Sequence, residues 1–179
     1  MKIGNLFNRK RNNEDIVCSV CGEIHKEMPD IGSFAPYHWN DTFNNDPKSL
    51  LTEDLCIIEE RDYFIRGVIQ IPILKSEEYF GWGVWVSQKK ENFEVYREKF
   101  NDDSIGPFFG WLSTKIDYYN TDTLSLKTKA HFRGNGLRPI IEIGPCEHEI
   151  YLQQSNGIPL EQAWNIVHYY KKTSDNTNN

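Results

Sequence analysis

Two cysteines two residues apart, with glycine directly after the second, are the residues of this chain most suited to chemistry: Cys18-Ser19-Val20-Cys21-Gly22-Glu23-Ile24-His25. Paired thiolates at this spacing can grip one ion. The glycine can take the positive φ that turns the next backbone N–H groups back toward sulfur. His25, three residues beyond the second cysteine's glycine, is near enough to reach the same ion. A closed structural zinc site takes four ligands, and Cys56, on an apolar run, is the expected fourth. Cys146 and His148 are rival ligands. The expected set is therefore Cys18, Cys21, His25 and Cys56, holding a structural zinc. Two other readings stay open: a redox dithiol, or plain unligated thiols, with Cys56 as a small core side chain. A redox CxxC usually opens a helix after a strand in a βαβ unit, a context absent around residue 18.

A catalytic zinc keeps three protein ligands and one position for water. Without Cys56, the first three ligands would leave such a vacancy, with Glu23 placed to act as a base. His38 and Asp41 form a His–Asp pair in a turn-rich loop, a weaker general-base candidate. The sequence has neither a Gly-x-Ser-x-Gly elbow nor a glycine-rich phosphate loop. His131 shares one strand face with Lys127, Lys129 and Arg133, a basic stripe that suits an acidic ligand or simply a solvated, edge-guarding face. Of the tryptophans, Trp82, Trp111 and Trp164 are read on core faces. Trp85 points the other way: it is the best candidate for a functional surface aromatic, and the alternative is that it covers Gly81 and Gly83 or packs under a helix.

These groups need a scaffold. The chain has 179 residues, within the roughly 100–200 expected of one domain. Aromatic residues make up 13% of it, more than a disordered chain would carry. Residues 55–59, 63–73, 80–87, 124–132 and 139–143 read as strands, several by strict alternation. Residues 149–152 read as another short strand. Residues 89–100 place Phe93, Tyr96 and Phe100 on one helical side. A last helix opens at Pro159, where a missing N–H costs nothing. Runs of hairpin-linked strands without regular βαβ alternation predict an α+β fold. The expected form is a mainly antiparallel sheet with two helices packed on it and an N-terminal zinc-knuckle-like segment. Residues 1–15 read as a flexible extension, 16–172 as the domain and 173–179 as a disordered tail.

Charge narrows the partners. Lys and Arg total 20 against 26 Asp and Glu, a net −6. An acidic chain repels phosphate backbones, so nucleic acid is not an expected partner; another protein is. No apolar run reaches the ~18 residues of a membrane span, and no secretory signal is evident. The expected compartment is the cytoplasm, where thiols stay reduced.

Several motifs together resemble a bacterial family known as domain of unknown function 2199. They are the CxxCGxxH start, Asp54-Leu55-Cys56-Ile57-Ile58, Phe64-Ile65-Arg66-Gly67-Val68, Gly81-Trp82-Gly83-Val84-Trp85-Val86-Ser87, Phe109-Gly110-Trp111-Leu112-Ser113, Gly136-Leu137-Arg138-Pro139 and the Gly157 to Trp164 region. The resemblance spans residues 16–168. It implies a bacterial, single-domain, cytosolic protein. It also groups Cys18, Cys21, His25 and Cys56 as matching positions and leaves Cys146 outside the pattern. It supplies no activity. The expected function is a non-enzymatic binding or accessory module. The alternative is a zinc-dependent or zinc-supported, hydrolase-like enzyme.

Overall fold

The computed structural model describes residues 2–4, 16–18, 21–25 and 28–176. In chain order the strands begin with β1 (Lys2–Gly4), β2 (Ile16–Val17), β3 (Ile24–His25) and β4 (Asp30–Gly32). After a 3-10 turn at Asp41–Asn45 come β5 (Leu50–Leu51), β6 (Leu55–Ile58), β7 (Asp62–Pro72) and β8 (Tyr79–Gln88). Helix α1 (Lys90–Glu98) precedes β9 (Phe108–Trp111), β10 (Lys127–His131) and β11 (Ile140–Ile143). Helices α2 (Glu149–Asn156) and α3 (Leu160–Asn176) close the chain. Most of the extension expected over residues 1–15 lies outside the described residues; Lys2–Gly4 pairs antiparallel with β4. At the other end α3 runs past residue 172 to Asn176.

The α+β class holds, but the sheet is mixed rather than mainly antiparallel. Nine described strands share it in the order β1-β4-β8-β7-β11-β10-β9, with β6 added to β7 and β5 to β6. Strand β4 runs parallel to β8, and β11 runs parallel to β7. Period-2 alternation reports which face a side chain takes and is silent on strand direction. Two parallel pairings made through long crossovers are therefore invisible in it.

The long hairpin of β7 and β8 organises the rest. Its register runs from Tyr63 opposite Gln88 to Pro72 opposite Tyr79. The far edge of β7 forks. Residues Asp62 to Ile65 pair with β6, whereas Val68 lies beside Ile140 of β11. Gly67 sits at the fork, and a Cβ there would stand 2.8 Å from the Pro139 carbonyl oxygen. Only glycine lets β11 approach this closely. The open edge of β8 is shared as well. Beyond β4, Leu112 bridges Val86 and the Ser113 N–H donates to the Trp85 carbonyl at 2.8 Å. The sheet thus curls until the end of β9 meets β8.

Alternation along β7 and β8 separates two apolar layers. One face carries Ile65, Ile69, Ile71, Phe80, Trp82, Val84 and Val86 against Phe93 and Tyr96 of α1 and the apolar side of α3. The other carries a smaller cluster of Cys56, Ile58, Phe64 and Trp85, roofed by Trp39, Phe43 and Leu51. Trp85, the candidate surface aromatic, instead follows the packed alternative and is fully buried in this second layer. Its indole N–H reaches the Ser33 carbonyl at 3.4 Å, and the Arg66 guanidinium lies over its ring. The exposed tryptophan is Trp111, at 44%.

A second correction concerns residues 149–152, which form the first half of α2 instead of a strand, making three helices rather than two. The His148 ring Nδ1 accepts from the Ile150 N–H at 3.1 Å, capping the first turn. Gly157, at φ +76°, ends the helix with its N–H on the Gln153 carbonyl.

The β6–β7 turn stores strain. Glu59 and Glu60 both have positive φ, 53° and 51°, and the Arg61 N–H closes on the Ile58 carbonyl at 3.0 Å. A left-handed conformation costs an L-residue about 1–2 kcal/mol, and Asn-Gly accepts it most readily. Glu59→Asn combined with Glu60→Gly is expected to raise stability by about 1 kcal/mol. Urea unfolding should show a higher midpoint with an unchanged slope; no gain would mean the turn is not strained.

Candidate metal centre

The hairpin of β2 and β3 sets the first three candidate ligands. Ile16 pairs with His25 and Val17 with Ile24, so Cys18 leaves β2 just as His25 closes β3. The Cys18 N–H donates to the Glu23 carbonyl and the Gly22 N–H to the Cys18 carbonyl, both at 2.8 Å. Gly22 has φ +74°, and a Cβ at this position would meet nothing within 4 Å. The glycine is therefore required for its backbone conformation, since there is room for a side chain.

Helix α3 brings the fourth group. Trp164 and His168 are four residues apart and share one helical side. Trp164 is buried in the main core. The His25 imidazole stacks on its indole with centroids 4.5 Å apart and planes at 26°. His168 Nε2 lies 3.2 Å from Cys18 Sγ, and His25 Nε2 lies 3.3 Å from Cys21 Sγ. The ligand atoms of Cys18, Cys21, His25 and His168 all fall within 4.8 Å of one another. Metal bonds of about 2.3 Å to sulfur and 2.0–2.1 Å to nitrogen give tetrahedral edges of roughly 3.4–3.8 Å. The four side chains fit one tetrahedral ion with adjustments on the order of 1 Å. They can hold a metal.

Electrostatics act in opposite senses on the histidine and the thiols. Desolvation pushes His168 below its ordinary pKa, helped by the Lys171 and His25 charges. The shift favours the neutral ring, the form with a lone pair to donate. At Cys21 a backbone hydrogen bond at Glu23 lowers the thiol pKa, but desolvation and the neighbouring Cys18 and Glu23 outweigh it and the net shift is upward. Two thiols beside a carboxylate resist joint ionisation until a cation neutralises them.

Cys56, the fourth ligand expected from sequence, is not in this group. It stands on β6 in the second apolar layer, where burial pushes its thiol up to about 12. The side chain that stands beside Cys18, Cys21 and His25 is His168. Cys146 is half-buried against the main core. His148 caps α2, with Nε2 facing the Thr121 carbonyl at 3.3 Å. His38 and Asp41 have separate partners: the His38 ring lies over Phe64, and Asp41 accepts from Asn44. Of the basic stripe, His131 pairs with Glu142 at 2.6 Å and Arg133 donates to the Arg138 carbonyl. The one readable hint of His168 is its place one turn after Trp164, on the apolar side of the final helix.

An N-terminal CxxCGxxH hairpin whose two cysteines and histidine meet a histidine of the last helix of an α+β fold is the arrangement that these observations define. The chain belongs to the family described as an uncharacterized protein conserved in bacteria (DUF2199), which matches residues 17–158. The match includes Cys18, Cys21 and His25 and ends before His168. No curated protein matches the chain, and no solved structure does. Among the described residues no helix is long and apolar enough to cross a membrane.

Proposed function

We propose that this protein is a non-enzymatic binding module, one α+β domain whose N-terminal hairpin is fastened to α3 by a structural zinc on Cys18, Cys21, His25 and His168. The convergence of four ligand atoms within 4.8 Å, one of them from the far end of the chain, carries this reading. Two thiolates and two imidazoles make a complete Cys2His2 set, the composition of closed structural sites. An open catalytic zinc has three protein ligands and a water. Zinc suits the mixed sulfur and nitrogen donors and accepts tetrahedral geometry without electronic preference. The site ties together segments that the sheet alone leaves apart, so its free energy goes into folding.

Native mass spectrometry, set against the denatured mass, tests this on wild type and on Cys56→Ser. One zinc per chain in both proteins is the expected result. A metal-free wild type would overturn the reading, and zinc lost with Cys56→Ser would return the fourth position to Cys56.

A further inference from the structure

The most distinctive feature outside the metal centre is the outer face of β9 and β10. Phe109 and Trp111 point outward from β9, 48% and 44% exposed. Their rings meet edge to face with centroids 5.1 Å apart. Lys129 lies directly opposite Phe109 and Lys127 directly opposite Trp111. The face thus repeats one unit twice, an open aromatic ring beside an exposed ammonium. Residues two apart on a strand give a repeat of about 6.6–6.8 Å. Glu142, the only carboxylate on β9, β10 and β11, lies directly opposite Lys129 and is engaged with His131 at 2.6 Å. Among the described residues neither Lys127 nor Lys129 has an ion-pair partner.

From this we infer that the β9–β10 face binds single-stranded polynucleotide without sequence preference, bases stacking on Phe109 and Trp111 and phosphates meeting Lys127 and Lys129. The inference rests on the reading of the protein as a binding module and names its partner. Aromatic platforms beside basic groups hold single strands because every base has a π-face and every linkage a negative charge. The net charge of −6 opposes this only at long range. At physiological salt, charges more than about 8 Å away are largely screened, so the two lysines decide together with Glu142, whose carboxylate is turned to His131.

Other occupants fit less well. A second copy docking this face by two-fold symmetry would bring lysines against lysines. An acidic peptide would use the ammonium groups but would find no strand edge to pair with. One edge of β9 is taken by β10. On the other, the Trp111 N–H donates to Ser87 Oγ at 3.1 Å and Leu112 bridges Val86.

Fluorescence anisotropy with a labelled oligothymidylate of about twelve nucleotides, a length within the range one such face covers, tests the inference. Binding should be measurable at about 50 mM salt and should weaken toward 200 mM with a log–log slope near −1.4, about −0.7 for each of two phosphate contacts. Trp111→Ala and Phe109→Ala should each weaken binding by about fivefold to a hundredfold, and Lys127→Glu with Lys129→Glu should abolish it. All four positions are exposed, so circular dichroism of the variants should match wild type. Absence of binding at low salt would overturn the inference, as would wild-type affinity in Trp111→Ala or equal affinity for poly-glutamate. None of these outcomes touches the zinc reading, which native mass decides separately.

Discussion

His168→Ala is expected to lose tight metal binding and, with it, most of the stability that the metal confers. Alanine is the best helix former, so α3 should be unharmed and the effect isolates the ligand. Removing a partner that merely orients a ligand costs metal proteins 10–100-fold in affinity; removing the ligand itself should cost at least about a hundredfold. With free zinc at about 1,000 times the wild-type Kd, binding to the native state contributes about 4.1 kcal/mol. A hundredfold weaker site contributes only about 1.4 kcal/mol under the same conditions, a loss of about 2.7 kcal/mol. For a chain of this size that corresponds to roughly 5–11 °C in Tm. The diagnostic comparison is chelator sensitivity. A strong chelator should lower the wild-type Tm and leave that of His168→Ala nearly unchanged. Equal chelator shifts in both proteins would show that His168 does not hold the ion.

Trp82→Ala should be the most damaging core substitution. Trp82 is fully buried on β8. It meets Phe80 edge-on at 4.9 Å and packs against Tyr119 and Tyr170 at 6.0 and 5.8 Å. Its indole N–H donates to the Tyr119 hydroxyl at 3.2 Å, and that hydroxyl donates in turn to Gln153 at 2.7 Å. Trp82 therefore connects the sheet to both C-terminal helices. Deleting a buried Trp side chain costs about 3–5 kcal/mol from lost transfer energy and the cavity left behind. Tyr119, whose pKa burial already pushes far up, also loses a donor in a place water does not reach. Thermal unfolding should show a Tm lower by roughly 6–20 °C. A change below about 1 kcal/mol would mean that the two helices are not held through this residue. Trp82→Phe, which keeps most of the ring volume, should recover the larger part of the loss.

The readable and unreadable parts of this fold divide on physical grounds. β7 and β8 were legible because alternation over ten residues has no competing interpretation. α1 and α3 were legible because aromatic and apolar residues recur at helical spacing. Residues 149–152 were not, because the capping group is a histidine ring and the stop signal, Gly157, lies beyond the window that looked like a strand. Trp85 and Trp111 exchanged roles for a related reason. Alternation gives the face of each ring, but only the fold reveals that the segment over residues 33–51 roofs the Trp85 face while the β9 face is left open. The metal group shows the same limit. Cys18, Cys21 and His25 are local, so their spacing speaks for them. His168 comes from α3, which packs beside β1 at the sheet edge, a long-range contact that no local spacing reports. Cys56 was the plausible fourth ligand as a type and a position. It faces the second apolar layer, where its thiol is kept neutral.

The central claim is the identity of the four ligands, and X-ray absorption of the zinc-loaded protein tests it most directly. The account predicts two sulfur scatterers near 2.3 Å and two imidazole nitrogens at about 2.0–2.1 Å, with one imidazole shell lost in His168→Ala. Three sulfurs and one nitrogen would contradict it in favour of Cys56. An oxygen completing three protein ligands would contradict it in favour of an open, catalytic ion.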